Sequence, residues 1–173
     1  MNLDKYFEEI YCINLEERKD RWEHVSSEFR KLGLNKVKKF SAIKSDPGYL
    51  GCRDSHIKII QEAKQNKNKN VLIFEDDVVF VEKNLNILPD VIMQLGDLKW
   101  DMLYLGATID PTRSKLEKVS KNLLKTNFAY ATHAYALNHT IFDYIISNGA
   151  KHSKIDVFYS RFVIPKYNTL ILD

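Results

Sequence analysis

Three adjacent carboxylates, Glu75-Asp76-Asp77, follow directly on the unbroken apolar run Val71 to Phe74. A short run of this kind, bounded by charge, reads as a strand buried on both faces of a parallel sheet. Its acids would emerge at the carboxyl edge of that sheet, where open α/β folds bind their ligands. Like charges so close repel one another unless a cation or a basic group offsets them. Hard oxygen donors suit Mg²⁺ or Mn²⁺, which keep several waters and bridge to substrate phosphates. A cation held there stabilises a departing diphosphate. On spacing alone a metal-dependent phosphatase or nuclease fits nearly as well, and a plain polar strand terminus is the bland alternative.

Other residues point to the same edge. Arg18 and Arg21 open a helical segment just beyond the first expected strand, where they would either meet a phosphate or stand solvated. The stretch Gly51 to His56 is expected between a glycine-containing loop and a helix start, a position suited to phosphate or sugar contacts. His56 also shares an apolar helix face with Cys52 and Ile59, the pattern of a satisfied core histidine, and Asp54 and Ser55 would serve as caps. His133 and Tyr135 fall in an expected strand, and Asp156 opens a late segment where a carboxylate would cap a helix. Neither a Walker loop nor a GxGxxG run is present, which argues against ATPase and dinucleotide chemistry.

The elements that must position these groups follow from periodicity. Tyr6 to Leu15 is rich in strand formers, and Trp22, Val25, Phe29 and Leu32 recur at helical spacing before Gly33, a C-capping residue. Val37 to Ile43 reads as a second strand. After a turn-rich stretch, Cys52, His56, Ile59, Ile60 and Ala63 share one helix face. A short helix over Pro89 to Leu95 and a buried strand over Trp100 to Leu105 come next. Lys115 to Phe128 reads as an inserted hairpin. Asn138 caps a helix ending at Asn148-Gly149, and Asp156 to Val163 forms a last short helix. Strands alternating with helices give an α/β class with a mostly parallel central sheet flanked by helices.

Composition bounds the partners. The 173 residues are 45% hydrophobic and 28% charged, which suits one compact domain, and no repeat or linker divides them. Lys plus Arg number 26 against 23 acids, and a net charge of +3 is too mild for an obligate nucleic-acid binder. No stretch approaches the roughly 20 apolar residues of a membrane span, and Met1 to Ile10 lacks the form of a secretory signal. Cys12 and Cys52 lack zinc-site spacing and are expected as free thiols in a reducing, cytoplasmic setting. The lysine-rich loops leave room for peripheral association with an anionic membrane.

Taken together, these segments resemble glycosyltransferase family 25, the group of bacterial lipooligosaccharide galactosyltransferases and procollagen galactosyltransferases. Ile13-Asn14-Leu15 with Arg18 and Arg21 resembles the family's opening strand and arginine motif, and Phe40-Ser41-Ala42-Ile43 its second strand end. Gly51-Cys52 with Ser55-His56 is similar to its GCxxSH element, and Leu72 to Val78 to its acidic metal motif. Thr132-His133-Ala134-Tyr135 and Ile155-Asp156 resemble its acceptor-side segments. The family's pattern runs on into a segment with a Gln and a Ser-Asp-Ile element, so a ligand or lid from there is expected to be missing or replaced. Ser114 to Lys125 matches none of its motifs.

The resemblance implies a GT-A type, Rossmann-like fold in a single glycosyltransferase domain. It implies a UDP-hexose donor, a glycan or hydroxylysine-type peptide acceptor, and inversion at the anomeric carbon. Asp77 would ligate Mn²⁺ or Mg²⁺, with Glu75 or Asp76 on the ribose or a metal-bound water. Asn14, Leu15, Arg18, Ser41, Ala42, Ser55 and His56 would line the donor site, His133 and Tyr135 the acceptor side, and Asp156 would be the base. A nucleotide-sugar-binding module without turnover and a metal-dependent phosphoesterase are the alternatives.

Overall fold

The computed structural model describes residues 2–81 and 85–173. Helix α1 (Leu3–Tyr6) leads into strand β1 (Glu9–Asn14), helix α2 (Lys19–Lys31) and strand β2 (Lys38–Ser41). Helix α3 (Gly48–Gln65), strand β3 (Asn70–Glu75), helix α4 (Leu88–Asp97) and strand β4 (Met102–Thr108) follow. Strands β5 (Leu116–Lys118), β6 (Leu123–Thr126) and β7 (Tyr130–Asn138) come next, then helices α5 (Phe142–Asn148) and α6 (Ile155–Phe158) and strand β8 (Thr169–Leu172).

The strands form one sheet in the order β2-β1-β3-β7-β4-β8-β6-β5. β2, β1 and β3 are mutually parallel, as are β4 and β8, while β7 runs antiparallel between β3 and β4. The β5–β6 hairpin extends the far edge, with β6 antiparallel to β8. All strands but β6 and β7 therefore point the same way, and the α/β architecture expected from the sequence holds. The hairpin falls within Lys115 to Phe128, as the sequence suggests. β8 and α1 carry no comparable periodic signal, since each is only four residues long.

Two apolar layers hold the sheet. Along β3, Val71 and Ile73 face a core built with α3, α5 and α6, while Leu72 and Phe74 face one built with α1, α2 and α4. All four side chains are fully buried, so the unbroken run serves both faces of the sheet. Gly33 ends α2 at φ +64°, the left-handed conformation that favours glycine. Asn138 accepts the Thr140 N–H, capping a single 3₁₀ turn before α5. Asp156 to Val163 begins as α6 and continues as a five-residue π turn over Tyr159–Val163. No helix among the described residues is long and apolar enough to cross a membrane.

One expectation is corrected here. Gly51 to His56 does not flank a helix start, because α3 begins at Gly48 and this stretch lies inside it. The reason is packing: a Cβ on Gly51 would overlap the Ile43 carbonyl oxygen, so the missing side chain lets the second turn of α3 press against the chain leaving β2. Gly51→Ala is therefore expected to cost about 2 kcal/mol or more, a Tm loss of about 4 to 8 °C. Gly48→Ala, whose Cβ would meet nothing within 4 Å, is the control. Thermal unfolding of the pair checks this, and equal Tm values would contradict the packing argument.

Candidate functional site

The three acids at the end of β3 divide among separate partners. Asp76 continues the face of Phe74, where β1 presents Asn14 and α2 presents Arg21. Its Oδ2 accepts the Asn14 Nδ2–H at 2.7 Å, and its Oδ1 pairs with Arg21 Nη1 at 2.9 Å. Glu75 points to the opposite face and the helix α3. Its Oε1 lies 3.2 Å from His56 Nε2 and accepts the Thr132 hydroxyl at 2.5 Å. Asp77 meets His133, with Nδ1 at 3.0 Å from Oδ1, and the same nitrogen stands 3.6 Å from Glu75 Oε2.

A bulge in β7 is what brings Thr132 and His133 to these acids. The register with β4 shifts between Gly106 opposite Ala134 and Thr108 opposite Tyr130, so β7 carries extra residues there. Ala131 sits at φ +80°, a conformation costly for a residue with a Cβ. Bulges re-aim side chains that strict alternation would send to opposite faces. Here two consecutive residues reach neighbouring carboxylates.

His56 is fully buried and bridges inward, with Nδ1 at 2.8 Å from the Tyr135 hydroxyl, which lies 3.2 Å from the Tyr159 hydroxyl. Burial opposes the charge on Glu75, but the His56 hydrogen bond and charge, with help from Thr132 and His133, hold its carboxyl down to about 2. Burial pushes the Cys52 thiol up to about 12, with Glu75, Asp156 and Asp77 adding to the effect, so it is not an activated nucleophile. Tyr104 and Tyr135 are pushed well above the usual phenol range, chiefly by burial.

Three cavities meet at this edge. The first, of about 320 Å³, is lined by Asn14, Leu15, Arg21, Ala42, His56 and Asp76. A second, of about 440 Å³, is lined by Tyr49, Thr132, His133, Lys154 and Asp156, and Cys52 and Glu75 line both. A third and more apolar one, of about 360 Å³, runs from Asp77 and His133 to Val79 and Leu105. Glu75, Asp77 and His133 offer one ligand atom each within 4.8 Å of one another, and Cys52, His56 and Glu75 do likewise.

Several candidates take places other than those expected of them. Arg18 turns to Asp20 at 2.7 Å, and it is Arg21, three residues on, that reaches the acids. Ser41 donates to Glu16 at 2.9 Å outside the cavity. Ser55 is buried and ties α3 to the end of β2, accepting the Ile43 N–H and donating to the Gly51 carbonyl. Tyr135 is fully buried behind His56 rather than on an acceptor surface. Asp156 lines the second cavity, its Oδ1 accepting the Val157 N–H at 2.8 Å. Cys52 escaped sequence reasoning because it reads as a position on an apolar helix face, and Tyr159, which the structure places in the core, carries no local signal.

Fold and site together are those of an α/β protein that gathers acids and imidazoles at the carboxyl edge of its sheet, the usual ligand-binding position. Residues 46–169 match the family described as "Glycosyltransferase family 25 (LPS biosynthesis protein)", and the chain belongs to that family. The human protein named "Inactive glycosyltransferase 25 family member 3" is 29% identical, over 76% of this chain and 27% of its own length. Human "Procollagen galactosyltransferase 2" is 26% identical, over 76% and 26%. The chain thus spans about a quarter of the length of these relatives. The crystal structure of mannose-1-phosphate geranyltransferase from Thermus thermophilus superposes with a TM-score of 0.53 at 10% identity, covering 95% of this chain and 72% of that one. That likeness speaks to the Rossmann-like fold alone.

The depressed Glu75 carboxyl predicts a pH dependence. A carboxylate held near 2 in the folded chain, against an ordinary 4.5, stabilises the fold above pH 4.5 and loses that contribution as pH falls toward 2. Between those values the wild type should lose up to about 3 kcal/mol that Glu75→Gln does not lose. Denaturant unfolding at stepped pH reads the difference, and parallel curves for the two proteins would contradict it.

Proposed function

We propose that the chain is a glycosyltransferase domain that moves a hexose, galactose or glucose, from a UDP-sugar to a hydroxyl of a saccharide or hydroxylated peptide. The observation that carries this is the cluster of Glu75, Asp77 and His133, in which Glu75 lines both the cavity of Asn14 and Arg21 and the cavity of Asp156, and His133 lines the latter. Two carboxylates and an imidazole are a donor set that suits Mn²⁺, and Mg²⁺ through the carboxylates, so these three residues would hold the cation. When bound, the cation offsets charge on the UDP leaving group.

The chain's own residues supply the rest. The cavity at the ends of β1 and β2 takes the nucleotide, and Asn14 and Arg21 hold Asp76 in place at its floor. Asp156 keeps the Val157 N–H on Oδ1, which leaves Oδ2 to take the acceptor's proton. The acceptor oxygen then bonds to the anomeric carbon as the bond to UDP breaks on the opposite face, inverting that centre. The apolar cavity beside Asp77 gives the acceptor side room for a non-sugar portion. A second reading, a nucleotide-sugar binder without turnover, draws on the human relative whose name calls it inactive.

Thermal unfolding with a panel of nucleotide sugars, with Mn²⁺ or a chelator, tests the donor site without an acceptor. A ligand at about 100 times its Kd adds about 2.7 kcal/mol, a rise of roughly 5 to 10 °C. One UDP-hexose should give that rise only with metal, and Asp77→Ala should abolish it. Asp156→Asn should keep the rise yet lower transfer by about 100- to 10,000-fold, the range for a lost general base. Binding without UDP release in any acceptor mixture supports the binder, metal-dependent phosphate release from monoesters indicates a phosphoesterase, and no shift with any nucleotide sugar overturns the proposal.

A further inference from the structure

The carboxylate of Glu75 belongs to two clusters at once. Beyond the one with Asp77 and His133, it closes a second with Cys52 and His56, whose sulfur and imidazole nitrogen stand with a Glu75 oxygen inside the same 4.8 Å limit. The proposed transfer makes no use of Cys52. Cys52 and His56 lie four residues apart in α3 and so share one helix face, which is turned toward the end of β3. Cys52 is half-buried and lines both the Asn14 cavity and the Asp156 cavity, so the cluster is open to solvent from either side.

The histidine is already oriented for ligation. Its Nδ1 is engaged by the Tyr135 hydroxyl at 2.8 Å, itself backed by Tyr159, and its Nε2 is aimed at Glu75 Oε1. Metal-binding imidazoles are fixed in this way, one nitrogen on an outer partner and the other on the ion. A thiolate, an imidazole and a carboxylate make a three-ligand set with a fourth position open, which selects Zn²⁺ over Mg²⁺ and Mn²⁺.

We propose that Cys52, His56 and Glu75 form a site for a thiophilic divalent cation, Zn²⁺ above all, that shares Glu75 with the Asp77–His133 cluster and antagonises it. On binding, the Cys52 thiol releases its proton to solvent as sulfur bonds the metal. The proton that His56 carries on Nε2 toward Glu75 is also given up to solvent as that nitrogen bonds the metal, leaving one proton on Nδ1 toward Tyr135, and Glu75 Oε1 turns from His56 to the ion. A dication on Oε1 draws charge from the carboxylate whose Oε2 faces His133, and two dications on one carboxylate repel. Zn²⁺ therefore weakens a cation at Asp77 and His133 and stands at the passage between the two cavities. The site itself is independent of the transferase reading, and only its inhibitory consequence rests on it.

The test titrates the full chain with Co²⁺, then Zn²⁺, and reads absorbance. Co²⁺ should give a thiolate-to-metal charge-transfer band that Zn²⁺ erases. Cys52→Ser should abolish the band and weaken Zn²⁺ by more than the about 10- to 100-fold that loss of an outer-shell partner costs. Asp77→Asn should retain it. In electron paramagnetic resonance, Zn²⁺ should release Mn²⁺ from the wild type but not from Cys52→Ser. Should Cys52→Ser fail to fold, iodoacetamide labelling of the wild type replaces it, with Zn²⁺ expected to protect Cys52. Absence of the band, its persistence in Cys52→Ser, or no protection of Cys52 overturns the proposal. A failed transferase reading would leave the cobalt spectrum unchanged, and a missing band would leave donor binding unchanged.

Discussion

The structure turns on the ending of one buried strand in three consecutive negative charges. An uncompensated buried charge costs several kcal/mol, so the buried Asp76 and half-buried Glu75 need partners, and strand alternation sends neighbours to opposite faces. Asp76, 8% exposed, is met on one face by Asn14 and Arg21. Glu75 is met on the other by His56 and Thr132, and Asp77 at the rim by His133. Four elements, β1, α2, α3 and β7, are thereby held at one edge of the sheet.

Holding them there has consequences away from the acids. α3 must come close enough for His56 to reach Glu75, and Gly51 with Ser55 makes that approach possible by removing a side chain and supplying a hydrogen bond. β7 must depart from regular pairing so that Thr132 and His133 reach the same edge, and the strained backbone at Ala131 is the local cost. The loop after the acids is tied back as well, since the buried Glu28 of α2 accepts the Phe80 N–H at 3.1 Å. An edge so constrained is preorganised, its polar groups fixed in place before any ligand arrives.

Sharing a carboxylate couples two clusters of side chains. Glu75 meets His56 of α3 and Thr132 of β7 with Oε1, and His133 of β7 with Oε2. A change of charge on either side is felt through a single group that is already under strong electrostatic influence. Membership of glycosyltransferase family 25 sets the context for this edge, and the chain matches about a quarter of the length of its longer relatives.

Much of this was legible without coordinates. The run Val71 to Phe74 and the alternation of strands with helices determine an α/β sheet with acids at its carboxyl edge, because burial on both faces leaves no polar position until the strand ends. Helix periodicity placed His56 on the face of Cys52 and Ile59, and the order of motifs pointed to the family. Which arginine meets the acids was not legible: Arg18 and Arg21 differ by less than one helical turn, and only packing of α2 on the sheet turns Arg21 toward Asp76. Nor was the role of Ser55, whose hydroxyl is used by the neighbouring backbone. The antiparallel insertion of β7 between β3 and β4, and the bulge that aims Thr132 and His133, come from long-range pairing with no local signature. Local sequence decides which residues form a strand and which face they share, while the partner across the sheet is decided by the fold as a whole.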